Sequence, residues 1–222
     1  MGYWAYYLGF IVLAYALQYP WLLAGIVVFF LLRRFVPDPF VLLRTMGRIR
    51  QLRAQVQSNP ANLTARRDLA GIYLERLRPR AALQLLDEAR KREPMNPELL
   101  YLTGVARHRI GEHESALEAL VSAVQTDSRL RFGEPYLVAG DALTRLKRDE
   151  EAEDAYERYV ESNSSSVEGY LKLALTRRRC GHRDAAQAAL QEALDTFSQL
   201  PSFRRRQQLS WWLRAQVARL YT

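Results

Sequence analysis

Few residues of this chain have the types and spacing that chemistry at a protein site requires. The three histidines, His108, His113 and His182, show no metal-ligand spacing to any cluster of Asp or Glu. No P-loop, GxSxG, HExxH or GxGxxG motif occurs in the sequence. The sequence therefore predicts no enzyme activity, no cofactor and no metal site, and it favours a role in binding.

The single cysteine, Cys180, excludes an internal disulfide and a CxxC metal knuckle. It precedes Gly181 and His182, and a neighbouring histidine can activate a thiol. A structural or merely tolerated cysteine is the favoured interpretation.

The net charge of +8 is unevenly distributed along the chain. Residues 1–32 carry no charged side chain, residues 33–58 carry six Arg against Asp38, and residues 201–222 carry five Arg and no acid. Each basic segment contributes +5, which leaves −2 for residues 59–200. A nucleic-acid-binding protein usually concentrates positive charge on the domain that contacts the nucleic acid. The distribution therefore argues against nucleic acid and favours an anionic lipid surface.

Small and apolar residues recur at a step of about 34 residues. The small residues of each unit are Ala70, Gly104, Gly140 and Ala174 in its first half, and Ala82, Ala116, Ala152 and Ala186 in its second half. Large apolar residues stand between them, at Leu69, Leu86, Leu120, Tyr156, Leu173 and Leu190. A period of this length with these spacings resembles the tetratricopeptide repeat (TPR) family over residues 59–200.

The predicted fold is all-α: an N-terminal transmembrane helix, a right-handed TPR-like α-solenoid of about four helix pairs, and a C-terminal capping helix. The predicted division is a membrane segment (1–35), a basic amphipathic connector (36–58), four repeats (63–96, 97–130, 133–166 and 167–200, within 59–200) and the cap (201–222). The step from the second to the third repeat is 36 residues. We expect a longer turn around residues 129–132.

The resemblance implies a concave groove lined by the first helix of each repeat, and it implies a protein partner. Mapped on this sequence, the groove presents Arg67, Tyr101, His108, Arg109, Asp141, Arg145, Arg178 and Arg179. Arg side chains bind carboxylates through paired hydrogen bonds. These residues therefore suggest an acidic peptide segment as partner, although any single Arg among them is also typical of a solvated helix face.

Residues 3–32 form a stretch of 30 residues without charge, long enough for a transmembrane helix. The arginines follow the stretch, so the positive-inside rule places the N-terminus outside and the repeats in the cytoplasm. Gln18 and Pro20 in mid-segment leave two forms open: one kinked span, or a re-entrant hairpin with both ends cytoplasmic. A cleaved signal peptide is disfavoured, because a positively charged n-region is absent.

Apolar residues at Leu42, Met46, Ile49, Leu52 and Val56 predict an amphipathic connector helix. Its basic face and the residues before it predict contact with an anionic membrane surface through Arg33, Arg34, Arg44, Arg48, Arg50 and Arg53. Packing of its apolar stripe on the first repeat is an equally favoured and compatible interpretation.

After Pro201, one stripe of the last helix is predicted to cover the exposed end of the array. The stripe consists of Leu209, Trp212, Leu213, Val217 and Leu220. Trp211 and Trp212 among five Arg also suit a bilayer interface or a partner helix.

The sequence therefore predicts an adaptor of the bacterial inner membrane that recruits a protein partner, either an acidic peptide segment or another membrane protein. The layout resembles the lipopolysaccharide assembly protein B adaptors of bacteria, but the chain lacks their CxxC pairs. The alternative is a structural subunit of a larger membrane complex, held through its N-terminal segment.

Overall fold

The computed structural model describes residues 39–220 together with residues 18, 19 and 21. This part of the chain contains ten α-helices, one 3-10 turn and no strand, which confirms the predicted all-helical solenoid. The helices are α1 (Pro39–Ser58), α2 (Leu63–Glu75), α3 (Pro79–Arg90), α4 (Pro97–Ile110), α5 (His113–Thr126), α6 (Glu134–Arg145), α7 (Asp149–Ser162), α8 (Val167–Arg179), α9 (Arg183–Gln199) and α10 (Ser202–Arg219).

The predicted membrane segment lies outside the described residues, apart from residues 18, 19 and 21, and so do Arg33 and Arg34. Across the described ranges, no helix has both the length and the apolar character that crossing a membrane requires.

Helix ends follow from local capping chemistry. The side chains of Asn62, Asn96 and Ser166 each accept a hydrogen bond from a backbone amide in the first turn of the helix that follows. Gly111 ends α4 with a φ of 93°, a left-handed conformation that glycine adopts without steric cost. Together with the short turns between helices, these caps place α2 to α9 as four consecutive antiparallel pairs.

The small residues of the repeat lie where the two helices of a pair touch. Ala82, Ala116 and Ala152 are fully buried on the second helices. A Cβ added at Gly104 of α4 would lie 2.5 Å from Leu120 Cγ, and one added at Gly140 of α6 would lie 2.5 Å from Tyr156 Cε1. The large side chain of the second helix therefore occupies the space that a side chain on the first helix would need.

The two extra residues between the second and third repeats form a 3-10 turn at Leu130–Gly133, the longer turn expected from the spacing. Arg131 and Phe132 have φ values of 49° and 55°, a costly conformation for residues with a Cβ. The Arg131 guanidinium offsets this cost, because it donates to both carboxylate oxygens of Glu98 and lies 5.1 Å from the Tyr101 ring centroid.

The connector helix α1 packs on the first repeat through Ile49 and Leu52, which are buried in the same core as α2. Polar contacts reinforce this packing: Arg53 Nε donates to the Tyr73 hydroxyl at 2.9 Å, and Arg76 Nε donates to the Thr45 hydroxyl at 2.8 Å. Met46 of the predicted stripe is exposed instead.

The last helix packs on α8 and α9, but only Trp212 of the predicted stripe contributes to this packing. Ala215 is buried and the Trp212 ring stacks on Phe197 at 5.1 Å, whereas Leu209, Leu213, Val217 and Leu220 are exposed. The helix thus has two apolar sides. The side with the Trp212 indole packs on the array, and the aliphatic side does not.

The close approach at Gly140 can be tested with a matched pair of glycine-to-alanine variants. Gly140→Ala forces the Tyr156 ring to shift, so we expect it to lower the free energy of unfolding by about 1–3 kcal/mol. Gly71→Ala, in α2, meets no atom within 4 Å and should raise stability by up to about 1 kcal/mol, because alanine is the better helix former. Thermal and urea denaturation measure both; equal stability of Gly140→Ala and the parent chain would contradict the packing account.

Candidate functional site

The first helices α2, α4, α6 and α8 present side chains that meet across neighbouring repeats, and we call this surface the A-helix face. Its centre is Asp141 on α6, which accepts hydrogen bonds from the Tyr156 hydroxyl at 2.7 Å and from Lys172 Nζ at 2.8 Å. Lys172 also pairs with Glu168 at 2.7 Å. Burial favours the neutral amine, but the two carboxylates outweigh it and raise the pKa of Lys172. Asp141 thus ties α6, α7 and α8 together.

Tyr101, predicted to contact a partner, is instead mostly buried. Its hydroxyl donates to Glu134 Oε2 at 2.9 Å, and burial, followed by the charge of Glu134, raises the pKa of the phenol. The ring supports Arg131 from one side. Tyr101 therefore forms part of the base of the A-helix face, below the surface that a partner would reach.

His108 lies against His113, with 3.2 Å between their Nδ1 atoms. Burial lowers the pKa of His108, and the charges of His113, Arg145 and Lys172 lower it further, while Asp141 opposes them. The imidazole is therefore neutral at pH 7, and it contributes a hydrogen-bonding group and no charge.

Three of the predicted groove arginines are engaged within the array. Arg109 donates to the backbone carbonyl of Leu74 at the end of α2. Arg179 pairs with Asp149 at 2.8 Å, and Arg67 pairs with Asp68 at 2.9 Å. The contacts of Arg109 and Arg179 link neighbouring first and second helices, that of Arg67 lies within α2, and all three leave the guanidinium groups less able to bind a partner.

Two arginines remain available. Arg145 on α6 and Arg178 on α8 are exposed, and neither side chain makes a hydrogen bond or an ion pair with any described residue. Leu175 lies one helical turn before Arg178 and is 38% exposed. Free guanidinium groups beside an accessible apolar side chain are suited to a ligand that carries both carboxylates and an apolar group.

An apolar cavity of about 460 Å³ lies at the end of this face, between α8 and α10, and sequence reasoning missed its second wall. Leu171 and Leu175 line one side, and Trp211, Leu213 and Val217 line the other. The Arg214 guanidinium stacks 4.6 Å from the Trp211 ring centroid at its edge. The Trp211-Trp212 pair was the available signal: its suitability for a partner helix was recognised, but its position beside Leu171 and Leu175 of α8 was not.

Other reactive side chains lie apart from the face. Cys180 is half-buried, and burial, followed by the charge of Glu153, raises the pKa of its thiol, which lowers its reactivity. In the part of the chain that the structure describes, no group of three His, Cys, Asp or Glu side chains is placed to hold a metal ion.

Comparison with known proteins places the repeats in a family. Residues 67–130 and residues 133–166 each match a family model described as tetratricopeptide repeat. No curated protein sequence matches the chain.

Solved structures share the fold at low sequence identity. The crystal structure of MamA aligns with a TM-score of 0.62 at 22% identity, over 67% of this chain and 85% of that one. YrrB, described as a TPR protein with an unusual peptide-binding site, aligns with a TM-score of 0.60 at 16% identity, over 83% and 93%. PilF of Pseudomonas aeruginosa aligns with a TM-score of 0.60 at 18% identity, over 83% and 91%.

The half-buried imidazole of His108 predicts a pH dependence of stability. Its pKa in the folded chain is below the ordinary 6.5, so the unfolded chain binds the proton more readily. Stability should therefore fall as the pH drops from 7 through 6.5 and below. We expect His108→Gln to flatten this fall in urea denaturation, and an unchanged slope in this variant would contradict the assignment.

Proposed function

Because the chain belongs to the tetratricopeptide repeat family, we propose that it is a membrane-anchored interaction scaffold that recruits a protein partner through its A-helix face. Arrays of this kind present an extended surface made of consecutive repeats. The residues that carry the proposal are Arg145 and Arg178, which lie on two successive first helices and have no partner among the described residues.

The chemistry of this surface favours an acidic partner. The Arg214 guanidinium lies at the edge of the apolar cavity, and Arg145 and Arg178 add two unpaired guanidinium groups on the A-helix face. Lys172, which also lines the cavity, is already neutralised by Asp141 and Glu168. An extended or helical segment with carboxylates around one apolar side chain satisfies both features. The peptide-binding site named for YrrB is a property of that protein, and it supports the same mode of binding here.

The anchor in this proposal is the uncharged N-terminal segment, in a single-pass arrangement at the bacterial inner membrane with the repeats in the cytoplasm. Of the described connector arginines, Arg53 bonds to Tyr73, while Arg44 and Arg48 lie 3.9 and 3.7 Å from carboxylates of α2. Arg50 is exposed and has no partner among the described residues, so it is the connector residue best placed for anionic lipid.

The partner-binding proposal is tested by charge reversal. Arg145→Glu with Arg178→Glu replaces attraction for carboxylates by repulsion, so we expect recovery of the co-purifying partner to fall about tenfold or more. The matched control is Arg80→Glu with Arg183→Glu, an equal charge change at exposed positions on second helices. Affinity purification with quantitative mass spectrometry measures recovery, and circular dichroism checks folding. Equal recovery from both double variants would reject the A-helix face as the binding surface.

The anchor is tested by thiol labelling. In a Cys180→Ser background, Gly2→Cys should react with a membrane-impermeant thiol reagent added to intact spheroplasts, because a single span places residue 2 outside. Protection from the reagent would contradict the single span and favour the hairpin.

Exchange of residues 1–35 for an unrelated anchor distinguishes a scaffold from a structural subunit of a larger membrane complex. A scaffold keeps its partner after the exchange, whereas a subunit held through this segment leaves its complex.

A further inference from the structure

One side of α10 carries an exposed apolar stripe at the end of the array. Leu209, Leu213, Val217 and Leu220 are between 46% and 79% exposed, and we call these four residues the end face. At about 1.5 Å per residue they form a stripe roughly 17 Å long. Terminal elements of repeat arrays normally turn a polar side to water. An aliphatic stripe at this place indicates a surface that another molecule covers.

The charge of α10 restricts what that molecule can be. The helix carries five arginines and no acidic residue. Two end faces packed against each other would bring these arginines together without a counter-charge, which disfavours a symmetric contact. The partner surface must therefore be apolar at its centre and acidic at its edge.

Such a surface exists on the same chain. A cleft of about 840 Å³ runs between α5 and α7 over α6, next to the inserted turn, and we call it the outer cleft. Leu117, Val121, Tyr136 and Leu143 are among the residues that line it, and Val121 is 47% exposed. Two parallel lips with an apolar floor can receive the apolar side of a third helix.

The lips of the outer cleft are acidic. Glu114 and Glu118 lie on the α5 side, and Glu151 and Asp154 lie on the α7 side. Arg148 neutralises Glu151 with contacts of 2.5 and 2.6 Å. Three carboxylates of the cleft form no ion pair within the described residues: Glu114, Glu118 and Asp154. The cleft contains one unpaired cation, Arg158, so its unpaired charge is negative. The cleft thus complements the end face in both polarity and charge.

We propose that the end face of one copy docks in the outer cleft of a second copy. The contact is heterologous, because each chain offers a different surface to its two neighbours, and it therefore produces rings or open filaments of this chain. It leaves Arg145 and Arg178 free. Leu213 and Val217 also line the cavity at the end of the A-helix face, so the test uses Leu209, which does not.

The test blocks one surface at a time in the full-length chain, kept in a mild detergent. Leu209→Glu places a charge on the end face, and Val121→Arg places one in the outer cleft; both positions are exposed, so folding should be retained. Each variant alone should associate about tenfold or more weakly than the parent chain in sedimentation-velocity experiments. Association of the parent chain should also weaken as NaCl rises from about 0.1 to 0.5 M.

The deciding experiment mixes the two variants. The Val121→Arg chain keeps its end face and the Leu209→Glu chain keeps its cleft, so a 1:1 mixture should form a dimer and nothing larger. Leu43→Glu, at an α1 position that is 71% exposed, is the matched control and should associate like the parent chain. Circular dichroism melting of every variant verifies folding.

Three results would overturn the proposal: a parent chain that stays monomeric at all concentrations, a mixture that forms no dimer, or equal loss of association in Leu43→Glu. Binding to vesicles of phosphatidylglycerol and of phosphatidylcholine tests whether a bilayer covers the end face instead of a second copy. Binding to phosphatidylglycerol alone by a monomeric parent chain, lost in Leu209→Glu, would assign the end face to an anionic bilayer. The Arg145 and Arg178 variants are independent of this outcome, so failure here leaves the partner-binding test intact.

Discussion

The array depends on close contact between the two helices of each pair. Gly104 and Gly140 have no room for a Cβ, because Leu120 and Tyr156 of the following helix occupy that space. Contact at this distance fixes how each first helix lies on its second helix, and the same geometry recurs because the small residue recurs. The positions of the A-helix face, the outer cleft and the end face all follow from this repeated contact. A Cβ at Gly104 or Gly140 would displace the Leu120 or Tyr156 side chain that packs there.

The repeat period was sufficient to predict the helical array, because it records contacts between helices that are neighbours in the sequence. The partners of the groove side chains could not be predicted in the same way. Arg109 is taken up by the carbonyl of Leu74, which is 35 residues earlier, and Arg179 by Asp149, which is 30 residues earlier. Sequence spacing indicates that an arginine lies on the surface, but it does not indicate which distant acceptor comes within reach. On α10, periodicity grouped Trp212 with four aliphatic residues in one stripe, and it did not show that Trp212 packs on the array while the aliphatic residues stay exposed.

Polar groups at the A-helix face fall into two sets, one engaged within the array and one without a partner among the described residues. Asp141, Lys172 and Tyr156 connect three helices through buried or half-buried hydrogen bonds, which are costly to leave unpaired and so stabilise one arrangement. Arg145 and Arg178, exposed beside this network, are held on a rigid base. A ligand that binds to them meets side chains whose surroundings are already ordered, which lowers the entropy cost of binding.

The inserted turn shows how such an array accommodates a change in length. Two residues interrupt the 34-residue step, and the chain absorbs them in left-handed conformations at Arg131 and Phe132, while the ion pair of Arg131 with Glu98 holds the turn against the preceding repeat. The helices on both sides keep their contacts across the turn. Insertions and deletions at this junction therefore leave the contacts between the helices of the array unchanged. Over evolution, the loops of such a protein can change in length and form new surfaces. The contacts between the helices, and with them the fold, stay the same.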